Sequence, residues 1–144
     1  MEKEDILQMK ATNFINDAPT VNLNTKASVI MKLLKETDAH TLYVVDETNT
    51  LVGMITDLDI LTRVSSKGLG EKIINDKATA ADLMHKLDVG KDKTISSADD
   101  SLEIVIEKLN KSGKKVIPVV NSLNQPIGQA SRQSINMGVE KFVK

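Results

Sequence analysis

The sequence predicts an α+β fold built from two copies of one β-α-β-β-α unit, and three observations carry that reading. The stretch "ASVIMKLLKETDAHTLYVVDETNTLVGMIT" (27–56) aligns without a gap on "LEIVIEKLNKSGKKVIPVVNSLNQPIGQAS" (102–131), at a constant offset of 75 residues. Within each copy, apolar residues first recur at helical spacing and then give way to a short β-branched run. Each copy ends where a strand runs directly into a second helical pattern. The chain has 144 residues, 40% of them apolar, which is enough for a real core, but half of it is marginal alone. The halves are therefore expected to pack sheet against sheet, as domains spanning 1–75 and 76–144.

The elements follow in order. An extended piece, "PTVN" or "KTIS", leads to Asn24 or Asp99, which are expected to cap the next helix. Val29, Ile30, Leu33 and Leu34 recur at helical spacing, as do Leu102, Val105, Ile106 and Leu109, so each helix has one apolar face for a sheet to cover. The runs "TLYVV" and "KVIPVV" read as buried strands. Polar turns, "DETNT" and "NSLNQ", join them to second strands, "LVGMIT" and "PIGQAS", as hairpins. Residues 57–66 and 132–141 return to helical periodicity. Between the copies a Gly-punctuated loop is expected from "SSKGLG", followed by a helix over 80–87. The N-terminal "EDILQMKATNFINDA" corresponds to this linker, with Phe14 and Ile15 matching Leu83 and Met84.

Composition excludes several function classes. A formal charge of −1 and only three aromatic residues argue against nucleic acid as the main partner. The absence of cysteine removes disulfides, thiolate nucleophiles and zinc ribbons. No apolar run approaches the roughly 20 residues of a membrane helix, and the charged start suggests no signal region, so a cytoplasmic protein without membrane insertion is expected. His40 and His85 lie far apart, and His85 has no acidic or histidine partner at i+4, so neither a metal site nor a catalytic triad is expected.

The junction "GMITDLDIL" (53–61) stands out. A strand that feeds a helix leaves the first helical N–H groups facing the sheet edge, a place for an anion or polar ligand. Gly53 permits close approach. Thr56 and Asp59 form the S/T-x-x-D/E capping signature, worth about 1 kcal/mol as a cap. Alternatively, an ionised Asp59 accepts two hydrogen bonds from a vicinal diol such as ribose, each worth roughly 1.5–3 kcal/mol.

The tandem unit with Gly-x-x-Thr-x-x-Asp at its last strand-to-helix junction resembles the cystathionine β-synthase (CBS) domain pair, or Bateman module, over about residues 11–143, with no catalytic domain left over. "LYVVDETNTLVGMITDLDIL" and "KVIPVVNSLNQPIG" carry the likeness, with "PTV" near the start. The resemblance implies two clefts related by pseudo-twofold symmetry that bind adenosine-containing ligands. The first takes Gly53, Thr56 and Asp59 opposite Thr94 and Ile95, with Val116, Ile117 and Pro118 beside the adenine and Arg63, Lys114 and Lys115 as phosphate donors; the lysines are equally a solvated turn. The second takes Thr20, Val21, Ala39, His40 and Thr41 opposite Ser131, Arg132 and Ser134. Ser134 stands where the ribose-binding acid belongs, and a hydroxyl does not replace an ionised two-oxygen acceptor. This cleft is therefore expected to be weak, empty or selective for something else.

The implied function is a non-catalytic regulatory module that needs no cofactor. It binds AMP, ADP or ATP, with S-adenosylmethionine, NAD and cyclic di-AMP also in range, and signals occupancy to an unidentified regulated protein. The resemblance also implies a flat homodimer with helices 57–66 and 132–141 at its interface. The rival reading is a dimerisation or docking module with vestigial clefts.

Overall fold

The computed structural model describes the backbone of residues 1–144 and every side chain except that of Asp38. A short helix α1 (Lys3–Leu7) and a 3-10 turn (Ala11–Asn13) precede the first repeat. That repeat runs β1 (Thr20–Asn22), α2 (Ala27–Glu36), β2 (Thr41–Val45), β3 (Leu51–Thr56) and α3 (Asp57–Val64). Next come α4 (Leu69–Ile74), α5 (Ala80–Leu83) and the two-residue β4 (His85–Lys86). The second repeat is β5 (Ser96–Ser97), α6 (Leu102–Ser112), β6 (Val116–Val120), β7 (Pro126–Ser131) and α7 (Arg132–Glu140). The fold is thus α+β with two β-α-β-β-α repeats, each on its own mixed sheet.

The strand order is β1-β2-β3-β4 in one sheet and β5-β6-β7 in the other. In both, the leader strand lies parallel to the first hairpin strand and the hairpin is antiparallel. The register repeats residue for residue. Val44 pairs with Gly53 and Val119 with Gly128, and each hairpin has an irregularity one residue later. The turns explain that register: Asp46 Oδ1 accepts from Thr48 N and Thr50 N, and Asn121 Oδ1 from Leu123 N and Gln125 N. Asn49 and Asn124 take the left-handed conformation that lets a five-residue loop close. β2 and β6 are buried along their whole lengths, as unbroken apolar runs should be. The first core gathers Val21, Ile30, Leu34, Val44, Ile55, Ile73 and Leu83; the second gathers Phe14, Leu102, Val105, Ile117, Val119 and Ile135.

The chain forms two compact units, Pro19–Val89 and Met1–Ala18 with Gly90–Lys144. The division read from the repeat, 1–75 and 76–144, differs from these units in both exchanged segments. Residues 1–18 pack with the second repeat and 76–89 with the first. Helix capping accounts for the exchange. Asn24 and Asp99 do not cap: their backbone N–H groups donate to Asn22 Oδ1 and Ser97 Oγ, and the N-cap residues are Lys26 and Ser101. Lys26 offers no capping side chain, so α2 takes its acceptors from 76–78: Ala27 N donates to Ala78 O (3.0 Å) and Ser28 N to Asp76 Oδ1 (3.0 Å). Leu102 N donates likewise to Met9 O (2.9 Å). Two reciprocal bonds, Ala80 N to Thr25 O and Ala11 N to Asp100 O, complete the pattern.

The linker differs from expectation in two further ways. Residues 69–74 form helix α4 where a loop is expected, because the Glu71 carboxylate accepts from the Gly68 N–H and Ile73 is buried. The helix expected over 80–87 stops at Leu83, and His85 and Lys86 join β3 as an edge strand.

Hydrogen bonds from Ser28 N and Ser28 Oγ hold the Asp76 carboxyl below the usual carboxylate range. Its contribution to stability is therefore complete at neutral pH and is lost as pH falls through the lowered value. Asp76→Ala should lower the thermal midpoint at pH 7, and wild type and variant should converge as the pH enters the acid range, as read by unfolding scans at several pH values.

Candidate functional site

Strand β3 ends at Thr56 and α3 starts at Asp57, so the chain must satisfy exposed helix-end amides at this point. A capping box does so. Thr56 Oγ1 accepts from Asp59 N (3.2 Å), and Asp59 Oδ2 accepts from Thr56 N (2.8 Å) and Thr56 Oγ1 (3.0 Å). The cap reading of the motif is thus correct as structure. The carboxylate has further partners. Arg63 Nη1, one turn along α3, donates to Asp59 Oδ1 (3.2 Å), and His85 Nδ1 on β4 lies 3.2 Å from Asp59 Oδ2. Arg63 Nη2 also donates to Met84 O (3.3 Å), which ties α3 to the start of β4. The side chains of Asp59, Arg63 and His85 are 15%, 23% and 34% exposed. The cluster is therefore shielded while one side stays open to solvent.

His85 is the functional candidate that sequence reasoning misses. Its acidic partner lies 26 residues away, beyond any local spacing rule. The signal was the match of Ile15 with Met84: carried one residue further, it sets His85 against Asn16. The structure confirms that correspondence, since His85 pairs with Met54 and Asn16 with Gln129, the repeat-equivalent partners.

At Gly53, expected to permit close approach, a Cβ would collide with Met84 Sδ, so the space is held for Met84. At Gly128 the same space is taken by Ile15. Arg63, expected as a phosphate donor, has its guanidinium engaged with Asp59.

The other residues expected of the first cleft lie in the second repeat. Thr94 Oγ1 donates to Asp92 Oδ1 (2.6 Å), and Ile95 O accepts from Lys108 Nζ (3.0 Å). Lys108 also donates to Asp100 Oδ2 (2.8 Å). Burial raises the Asp100 carboxyl, but the bonds from Lys108, Ser97 and Ser96 outweigh it and hold the group below its usual range. Val116, Ile117 and Pro118 sit in buried β6, paired to Ser131, Ala130 and Gln129. Lys114 and Lys115 are exposed in the turn before β6. The parallel pairing of β5 with β6 thus brings the leader segment beside the first hairpin strand.

Of the second set, Thr20 and Val21 pair with Tyr43 and Val44, while Ala39 and His40 form a left-handed turn before buried Thr41. His40 Nδ1 lies 3.0 Å from Leu34 O, where it satisfies a carbonyl of the last turn of α2. Ser131 and Ser134 cap α7 reciprocally, Ser131 N to Ser134 Oγ (2.8 Å) and Ser134 N to Ser131 Oγ (3.0 Å). Ser134 Oγ also donates to Ser131 O (3.1 Å). Arg132 is exposed on the first turn of α7. This junction has no carboxylate.

Gly53→Ala should destabilise the protein by roughly 1–3 kcal/mol, as overpacking does. The increment should shrink in a Met84→Ala background, measured by a double-mutant cycle in denaturant.

Residues 11–66 match the family model described as CBS domain. No curated protein matches the chain. Among solved structures, CBSX2 in complex with AMP is similar at 20% identity over 92% of this chain and 97% of that one, with a TM-score of 0.74. A CBS domain-containing protein of unknown function from Bacillus anthracis is similar at 17% identity over 99% and 100%, TM-score 0.76. Hypoxic Response Protein I with two coordinated zinc ions follows at 18% identity over 94% and 100%, TM-score 0.67. Residues 11–66 thus match the CBS-domain family model, and the doubled β-α-β-β-α fold of the chain is the fold of these CBS-domain structures.

Proposed function

We propose that the chain is a non-catalytic regulatory module that binds an adenosine-containing nucleotide of the AMP, ADP or ATP class at the Asp59 junction. One observation carries this reading: a shielded carboxylate at the start of α3, with the Arg63 guanidinium on one oxygen, the His85 imidazole on the other and one side open to solvent. Such a group is suited to accept the paired hydroxyls of a ribose. The AMP complex of CBSX2 supports the ligand class, because that protein has the same fold. The ligand signals by differential affinity, shifting a partner-facing conformation only as far as it prefers that state.

A thermal-shift panel with AMP, ADP, ATP, cyclic di-AMP, S-adenosylmethionine and NAD tests it. A ligand at a hundred times its dissociation constant stabilises by about 2.7 kcal/mol, and Asp59→Ala should abolish that shift while the protein stays folded. Absence of any shift in ligand-free wild type would favour the rival docking module.

The same chain is proposed to self-associate through α3. Leu58, Leu61 and Val64 are 66%, 67% and 40% exposed on one face of that helix, a costly display for a face without a partner. Leu61 also lines a groove of about 590 Å³ together with Lys35 and Asp57. Opposite charges in one groove suit a two-fold contact, in which Lys35 of each copy reaches Asp57 of the other. At the equivalent places α7 carries Gln133, Asn136 and half-buried Val139. The second copy is therefore assigned to α3 more than to α7. Leu58→Asp with Leu61→Asp should give a monomer by sedimentation, whereas Gln133→Asp should leave the assembly intact.

A further inference from the structure

The groove beside α3 contains a titratable ring that the nucleotide reading does not use. Met31, Leu34, Ile60 and Leu61 give the groove apolar walls, and Lys35, Asp57 and His40 are its polar members. The His40 ring is held in place. Ala39 and His40 are successive left-handed residues (φ 59° and 47°), a costly conformation for residues with side chains, and Nδ1 of His40 lies 3.0 Å from Leu34 O. A carbonyl only accepts, so Nδ1 carries the hydrogen and Nε2 is the atom that gains or loses a proton. Lys35, His40 and Asp57 are all exposed in the single chain, so water solvates either state of the ring.

We infer that self-association through this groove is proton-linked: two copies hold together with His40 neutral and separate as the ring takes up a proton. The inference rests on the self-association proposed above and names its regulation. In that contact Lys35 of each copy pairs with Asp57 of the other, which uses the one acid of each groove and one of its two bases. A proton on His40 then leaves a third charge with no carboxylate to meet it, between apolar walls that the second copy has closed to water. An unpaired charge in such a place is strongly disfavoured, so covering the groove favours the neutral ring. The groups facing the ring are Lys35 from α2 and Asp57 from α3, and imidazole is the side chain whose charge ordinarily changes between about pH 5 and 8. The second repeat has the same groove with its charge unbalanced. Between α6 and α7, a groove of about 320 Å³ has Asn110 and Arg132 at the positions of Lys35 and Asp57. Its lining holds a permanent cation and no acid, and Lys115 stands at the position of His40. The groove to which no second copy is assigned is thus the one that resembles the first with His40 protonated.

Sedimentation of the full chain at about pH 7.5 and about pH 5.5, at one ionic strength, tests this on wild type, His40→Asn, His40→Lys and His85→Gln. Circular dichroism at both pH values checks that each is folded. The wild-type dissociation constant should rise about tenfold or more on acidification, as one or two linked protons allow. His40→Asn, whose new residue tolerates the left-handed backbone, should stay associated at both values, and His40→Lys should be weakened at both. Wild type equally associated at the two, or tighter in acid, would overturn the proton link while leaving self-association standing. So would full association of His40→Lys, or a pH dependence that survives His40→Asn. Loss of the dependence in His85→Gln instead would assign the proton to the other of the chain's two histidines and overturn the link as well. Wild type monomeric at both values would overturn the self-association and the link with it.

Discussion

The first backbone N–H groups of α2 and α6 need acceptors, and the repeat does not contain enough of them. A buried amide left unpaired costs as much as a lost hydrogen bond, so each helix start recruits a segment from outside its own β-α-β-β-α unit. For α2 that segment is 76–80, which supplies Asp76 Oδ1 and Ala78 O as acceptors and donates from Ala80 N to the Thr25 carbonyl. For α6 it is 9–11, with Met9 O and Ala11 N in the same parts. Much else follows from those bonds. They place Leu83 and Phe14 in their respective cores, Met84 over Gly53, Ile15 over Gly128, and His85 within reach of Asp59. The linker is therefore a working part of the first unit and the N-terminal segment a working part of the second.

Most of the fold was legible because repetition doubled every local signal. The strands "TLYVV" and "KVIPVV", the five-residue turns and both terminal helices lie where periodicity and turn chemistry put them. The misses share one physical cause: they depend on partners distant in sequence. Asn24 and Asp99 are good capping residues in the abstract, but each helix starts two or three residues later, where an acceptor from another segment is waiting. Helix α4 escapes a periodicity search because it is six residues long and begins beside a glycine. The helix over 80–87 ends early because His85 and Lys86 gain more from the open edge of β3 than from another helical turn.

The site was half legible for the same reason. Thr56, Asp59 and Arg63 share one helix start, and their spacing alone brings them together. His85 and Met84 arrive from another element, so nothing local marks them. Glycine at position 53 does mark a close approach, and the approaching group is the chain's own methionine.

Stability by itself does not call for the charged cluster. At the equivalent junction Ser131 and Ser134 cap α7 with two hydroxyls, satisfy both amides and leave no charge to shield. A serine at position 59 would complete the α3 cap in the same way. The first junction instead holds a carboxylate that is 15% exposed, paired with the Arg63 guanidinium and contacted by the His85 imidazole. A partly buried ion pair of this kind returns little or nothing over an uncharged equivalent, because desolvation consumes most of the Coulomb energy. Three ionisable side chains thus do for folding what two hydroxyls do elsewhere in the same molecule. What the carboxylate adds, and a serine does not, is a strong two-oxygen acceptor held in a fixed direction by its cap. That is an asset to a ligand rather than to the fold.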